Sequence, residues 1–107
     1  MSYDRIGVIG AMDSELAALI AALTQPAQET VQGLVFHTGR LGAREVVLVR
    51  CGIGKVSAAR CTQVLIDRFA PGAVINTGIA GGLASGLAVG DIVVADGLVQ
   101  HDFDAAP

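Results

Sequence analysis

Val74-Ile75-Asn76-Thr77-Gly78-Ile79-Ala80-Gly81-Gly82-Leu83 joins a short β-branched apolar run to a turn that carries three glycines within five residues. Residues 73–75 read as a strand buried in the middle of a sheet, because a parallel strand covered on both faces is apolar throughout rather than alternating. Gly78, Gly81 and Gly82 let the backbone take positive φ or approach a ligand closely. On spacing alone, a ligand-free strand exit and a ligand-facing turn both remain open, since the stretch completes no nucleotide-binding signature.

Working outward, residues 55–69 show helical period, with Val56, Ala59, Val64 and Phe69 near one face and Leu65 and Ile66 beside it. Pro71-Gly72 closes that helix. Beyond the glycine turn, Val89-Gly90-Asp91-Ile92-Val93-Val94-Ala95 reads as a further strand, with residues 97–103 continuing extended. At the other end, Arg5-Ile6-Gly7-Val8-Ile9-Gly10-Ala11 is a buried opening strand. Residues 12–24 then switch to a helix with Leu16, Leu19, Ile20 and Leu23 on one face, capped by Asp13 or Ser14 and stopped by Pro26. Residues 29–41 and 44–51 read as antiparallel strands around the Gly42-Ala43 break. The order β-α-β-β-α-β-β predicts an α/β fold, a mixed central sheet flanked by helices.

A chain of 107 residues accommodates one domain, spanning residues 1–107. It is 52% hydrophobic, 16% charged and only 4% aromatic, so its core is built from Ala, Val, Leu and Ile. That balance fits a two-sided parallel sheet, or a piece of a larger fold whose remainder covers part of this surface. The net charge of -3 with no basic cluster argues against nucleic acid as a partner. No apolar run approaches the roughly 18 residues of a membrane span. Met1-Ser2-Tyr3-Asp4-Arg5 also lacks the basic-then-apolar order of a signal peptide. No membrane partner and a cytoplasmic location are therefore expected. Cys51 and Cys61 fall outside CxxC spacing and read as reduced structural thiols.

Gly7-x-x-Gly10 before a helix fails the GxGxxG spacing, and a dinucleotide fold would not follow its first helix with a hairpin. Gly54-Lys55 falls short of a phosphate loop, because Val49 stands where Gly is needed and Val56 where Ser or Thr would hold magnesium. His101, Asp102 and Asp104 have metal-ligand composition, yet alternate side chains of extended chain point opposite ways, so no metal site is expected. No other cofactor is implied. His37, alone on a strand, reads as structural. Glu15 lies in the first turn of a helix just after a strand end, where the macrodipole favours a carboxylate and where α/β sheets bind ligands. An ordinary helix-start carboxylate accounts for the same residue.

Four ordered motifs, Ile6-Gly7-Val8-Ile9-Gly10-Ala11-Met12-Asp13-Ser14-Glu15, Cys51-Gly52-Ile53-Gly54-Lys55-Val56, Asn76-Thr77-Gly78-Ile79-Ala80-Gly81-Gly82-Leu83 and Val89-Gly90-Asp91-Ile92-Val93-Val94, resemble the methylthioadenosine/S-adenosylhomocysteine nucleosidases of the nucleoside phosphorylase superfamily. The match runs in register from Ile6 to about Asp104 and covers the first half or so of a family member. It implies a nucleoside phosphorylase-like fold, incomplete here, and hydrolysis of the N-glycosidic bond of a thio-nucleoside to adenine and thio-ribose. Glu15 matches the carboxylate that orients and deprotonates the attacking water, a role suited to an oxocarbenium-like sugar. Met12 and Ile53 match residues lining the ribose and water site, and Ile79, Ala80 and Gly81 match the turn beside the nucleoside.

The resemblance also implies a homodimer in which the loop over residues 100–105 reaches the neighbouring subunit's alkylthio pocket. Phe103 and Ala105 are then expected to line that pocket, although a frayed terminus accounts equally well for the segment. Ile79 departs from relatives with Ser or Thr at this position, which removes a hydroxyl contact. Phosphorylase relatives place an Arg where Asn76 stands, and the first loop is acidic, Asp13-Ser14-Glu15, so water rather than phosphate is the expected nucleophile. The acid that protonates adenine and the glutamate that grips the ribose belong to the second half of the family fold. No residue of this chain aligns with either, so the 107-residue polypeptide by itself is expected to lack useful turnover.

Overall fold

The computed structural model describes residues 4–100. Five strands, β1 (Arg5–Gly10), β2 (Thr24–Val31), β3 (Leu34–Leu41), β4 (Arg44–Arg50) and β5 (Ala73–Asn76), form one sheet in the order β2-β3-β4-β1-β5. β1 lies between β4 and β5 and is parallel to both, while β3 runs antiparallel to β2 and to β4 on either side of it. A single 3-10 turn (Asp13–Glu15) and helix α1 (Ala17–Ala22) connect β1 to β2, and helix α2 (Lys55–Phe69) connects β4 to β5. The mixed α/β sheet flanked by helices is thus the architecture expected from the sequence.

β4 explains why the core has two sides. Val46, Val47, Leu48 and Val49 are all buried, since successive strand side chains point to opposite faces and both faces are covered. Val46 and Leu48 join Val8, Leu16 and Leu23 beneath α1, with Leu19 and Ile20 packed against them. Val47 and Val49 join Ile9, Phe36, Cys61, Leu65 and Phe69 beneath α2. The rings of Phe36 and Phe69 meet with centroids 4.9 Å apart at 45°. The α1 face is the one expected from sequence. The buried stripe of α2 instead runs through Cys61, Leu65 and Phe69 with Ala58 and Val64 beside it, and Val56 points outward at 84% exposure.

The segment after β1 departs most from expectation. The helix over residues 12–24 is broken into the 3-10 turn and the six residues of α1, and Thr24 already belongs to β2. Neither Asp13 nor Ser14 caps it: Met12 is the capping residue, with no side-chain cap. Pro26 does not end a helix but sits in edge strand β2, beside the register shift between Thr24 and Ala27, where the absent N–H costs no ladder bond. Residues 29–41 form parts of two strands, because the chain reverses at Gln32 and Gly33, whose φ values of 55° and 78° suit a two-residue hairpin turn. The Gly42-Ala43 turn between β3 and β4 is as expected.

β5 is an edge strand rather than a central one, with Val74 and Ile75 partly open to solvent. The expected strand over residues 89–95 is not formed: Ile92, Val93 and Val94 are exposed and pair with nothing in the sheet, and residues 97–100 carry no strand either. A strand needs a partner to satisfy its backbone, and none lies beside this segment among the described residues. The rest of the extended stretch, residues 101–103, falls outside the described residues.

Cys51 and Cys61 are free and buried. Burial, with the Cys51 thiol adding, pushes the Cys61 thiol up from 9.0 to about 11, against a small opposing pull from Arg60. Below pH 9 native and unfolded chains both keep this proton. Between pH 9 and about 11 only the native chain does, so its stability falls as pH rises through that window. Urea unfolding at pH 8 and pH 10 is expected to show this loss, and Cys61→Ala to reduce it.

Candidate active site

The three parallel strands end together, and the candidate residues lie on the segments that follow them. Past β1, Cys51 N–H donates to the Gly10 carbonyl at 2.9 Å, and Thr77 N–H donates to the Ile9 carbonyl at 2.9 Å, so the exits of β4 and β5 stay pinned to β1. Ligands of open α/β sheets bind beyond such carboxyl ends.

Glu15 spans two of these exits. Its Oε1 accepts the Met12 N–H at 2.9 Å, the reciprocal half of a capping box, and its Oε2 accepts the Ile79 N–H at 3.2 Å. One half-buried carboxylate therefore ties the loop after β1 to the turn after β5. A carboxylate has about four acceptor positions, so each oxygen keeps room for a further donor such as water. Because the surrounding helix is a single 3-10 turn, the specific partners of Glu15 are these two amides rather than a long helix dipole.

Met12, Glu15 and Ile79 are thus brought together, joined through the hydrogen bonds of Glu15. Ile53 lies in the loop between β4 and α2 and is 78% exposed, and Ile79 is 84% exposed. Ala80 and Gly81 follow in the same open turn. The Ile79 side chain brings no hydroxyl, but the contact to Glu15 comes from its backbone and does not depend on that side chain. Phe103 and Ala105 lie outside the described residues, as do His101, Asp102 and Asp104. Among the described residues no group of three or more His, Cys, Asp or Glu could hold a metal ion, and no helix is long and apolar enough to cross a membrane.

A neighbouring cavity of about 360 Å³ lies between the 3-10 turn, α1 and β3, lined by Leu16, Ile20, Leu34, Val35, His37 and Cys51 among others. None of Met12, Glu15, Ile53, Ile79, Ala80 or Gly81 lines it. Its charged groups, Asp13 and Arg50, pair with each other at 3.3 Å and are both exposed, so they offer an anion little net attraction. The convergent carboxylate and amides lie outside this cavity, which makes the strand ends the better candidate.

What fills the space over Gly78 is not legible in the sequence. A Cβ built there would stand 2.8 Å from Glu15 Oε2, so the close approach is made by a side chain of this protein. The signal was the glycine itself, which spacing could not assign to a ligand or to an internal neighbour.

Fold and site together define an α/β protein that gathers a carboxylate and backbone amides at the carboxyl ends of parallel strands. The chain belongs to the phosphorylase superfamily, whose family model matches residues 5–107. Over 100 residues it is 50% identical to the 5'-methylthioadenosine/S-adenosylhomocysteine nucleosidase of Shewanella putrefaciens, covering 94% of this chain and 43% of that protein. Its fold is similar to that of the Streptococcus pyogenes S-adenosylhomocysteine nucleosidase in complex with 5-methylthiotubericidin, at 47% identity and a TM-score of 0.93 over 98% of this chain and 44% of that one. It is also similar to the methylthioadenosine/S-adenosylhomocysteine nucleosidase of Colwellia psychrerythraea 34H in complex with adenine, at 47% identity and a TM-score of 0.81 over 84% of this chain and 37% of that one. The chain spans less than half the length of these relatives.

Proposed function

We propose that these residues form one wall of a nucleosidase site that hydrolyses methylthioadenosine or S-adenosylhomocysteine to adenine and a thio-ribose. The observation that carries the reading is Glu15, fixed by two backbone donors between the loops that follow β1 and β5. In the reaction the C1′–N9 bond breaks, adenine leaves with the bonding pair, and a water oxygen bonds to C1′. Glu15 takes the water's proton, and an acid from beyond this chain protonates the base. General acid–base groups of this kind contribute about 10²- to 10⁴-fold each. Met12 and Ile53 supply apolar surface for the sugar, and Ile79, Ala80 and Gly81 offer backbone to the nucleoside. Phe103 and Ala105 are assigned to a partner subunit's alkylthio pocket in a cytoplasmic homodimer.

Water is preferred to phosphate as nucleophile because Asn76 takes the place of a phosphate-binding Arg, and Arg50, at the end of β4, is engaged with Asp13. The test is a chimera in which the 100 matched residues of this chain replace their counterparts in the Shewanella putrefaciens nucleosidase. It is expected to release adenine from methylthioadenosine at one rate with and without phosphate, while the 107-residue polypeptide alone releases none. Phosphate-dependent release by the chimera would move the site to the phosphorylases.

A further inference from the structure

We infer that Gly78 is a positioning residue whose missing side chain is the space in which the Glu15 carboxylate sits; this rests on the assignment of Glu15 as the base. A Cβ at position 78 would meet Glu15 Oε2 at 2.8 Å, Cδ at 3.6 Å and Oε1 at 3.9 Å, and no other atom ranks among its three nearest. The first distance is shorter than real Cβ contacts, so something must move. What moves is the free end of a long side chain, not backbone.

Alanine at 78 therefore leaves the sheet intact and displaces the carboxylate, breaking its bond from Ile79 N–H while the neighbouring Met12 N–H has to follow or let go. Gly81 provides the contrast within the same turn. A Cβ there meets nothing within 4 Å among the described residues, and neither glycine has positive φ, so alanine is free of backbone strain at both positions. Two glycines three residues apart thus have different reasons to lack a side chain. Gly78 makes room for the base, whereas Gly81 has no such neighbour among the described residues.

The experiment compares Gly78→Ala and Glu15→Asp/Gly78→Ala with the parent, in the 107-residue chain by NMR and in the chimera by kinetics, with Gly81→Ala as the structural control by NMR. Gly78→Ala is expected to shift the Glu15 carboxyl carbon and the Met12 and Ile79 amides, with β3 and β4 amides unmoved. In the chimera it is expected to lower kcat about tenfold to a hundredfold with KM changed by less than about threefold, as misplacement of a catalytic group by about 1 Å does. Gly81→Ala is expected to leave the Glu15 carboxyl carbon and the Met12 amide unshifted, since a Cβ there meets nothing within 4 Å among the described residues. The double variant, one methylene shorter at 15, is expected to recover part of the kcat that Gly78→Ala loses. If Gly78→Ala matches Gly81→Ala in carboxyl shift, lowers kcat less than about tenfold from the parent, or unfolds a chain that Gly81→Ala leaves folded, the inference is wrong. A Gly78-dependent carboxyl shift in a chimera that cleaves no nucleoside would uphold the positioning and refute the nucleosidase reading.

Discussion

Glu15→Gln in the chimera is expected to lower kcat for adenine release by about 10² to 10⁴ while leaving the fold unchanged. Glutamine has the shape of glutamate but is far too weak a base to serve in the role proposed for Glu15. It also disturbs the support that the structure shows. The two carboxylate oxygens accept from Met12 N–H and Ile79 N–H, and an amide can offer an oxygen to only one of them. Its NH₂ group would face the other donor. Glu15→Asp keeps the base but draws it back from Ile79, so an intermediate loss is expected. Far-UV circular dichroism separates these losses from unfolding. A Glu15→Gln chimera within tenfold of the parent would remove Glu15 from the role of base.

Phe36→Ala is expected to destabilise the 107-residue chain by about 3 to 5 kcal/mol, read as a lower urea midpoint. Phe36 is fully buried, stacks at 45° against Phe69, and lies in the cluster that welds α2 to β3 and β4. The truncation removes apolar contact and leaves a cavity where two faces meet. Domains of this size hold only about 5 to 15 kcal/mol in all, so the variant is expected to be largely unfolded at 37 °C. Val35 on the same strand is 41% exposed, and Val35→Ala is expected to change stability by no more than about 1 kcal/mol. Equal effects at the two positions would contradict the packing described here.

The parts of the fold that were legible are those where burial writes itself into the residue pattern. β1 and β4 are apolar on both faces, and α2 carries a full helical repeat between two glycine-containing breaks. β2 was hidden for the opposite reason. Its residues Thr24-Gln25-Pro26-Ala27-Gln28-Glu29-Thr30-Val31 lie at the sheet edge and are mostly exposed, so no alternation marks them. The Gln32-Gly33 reversal lacks the Asn-Gly or Asp-Gly signature that makes a hairpin visible. Residues 89–95 mislead in the reverse sense, with strand composition but no partner in the sheet. At the site, Glu15 and the glycine turn were each visible, while the bond between them was not. Residues 64 positions apart in the chain meet only because β1 and β5 are paired.

Turnover of methylthioadenosine by the chimera in H₂¹⁸O tests the central claim most directly. Water held at Glu15 predicts one ¹⁸O at C1 of the released thio-ribose and none in adenine, independent of phosphate. A sugar 1-phosphate without ¹⁸O, or no adenine at all from a folded chimera, would contradict it.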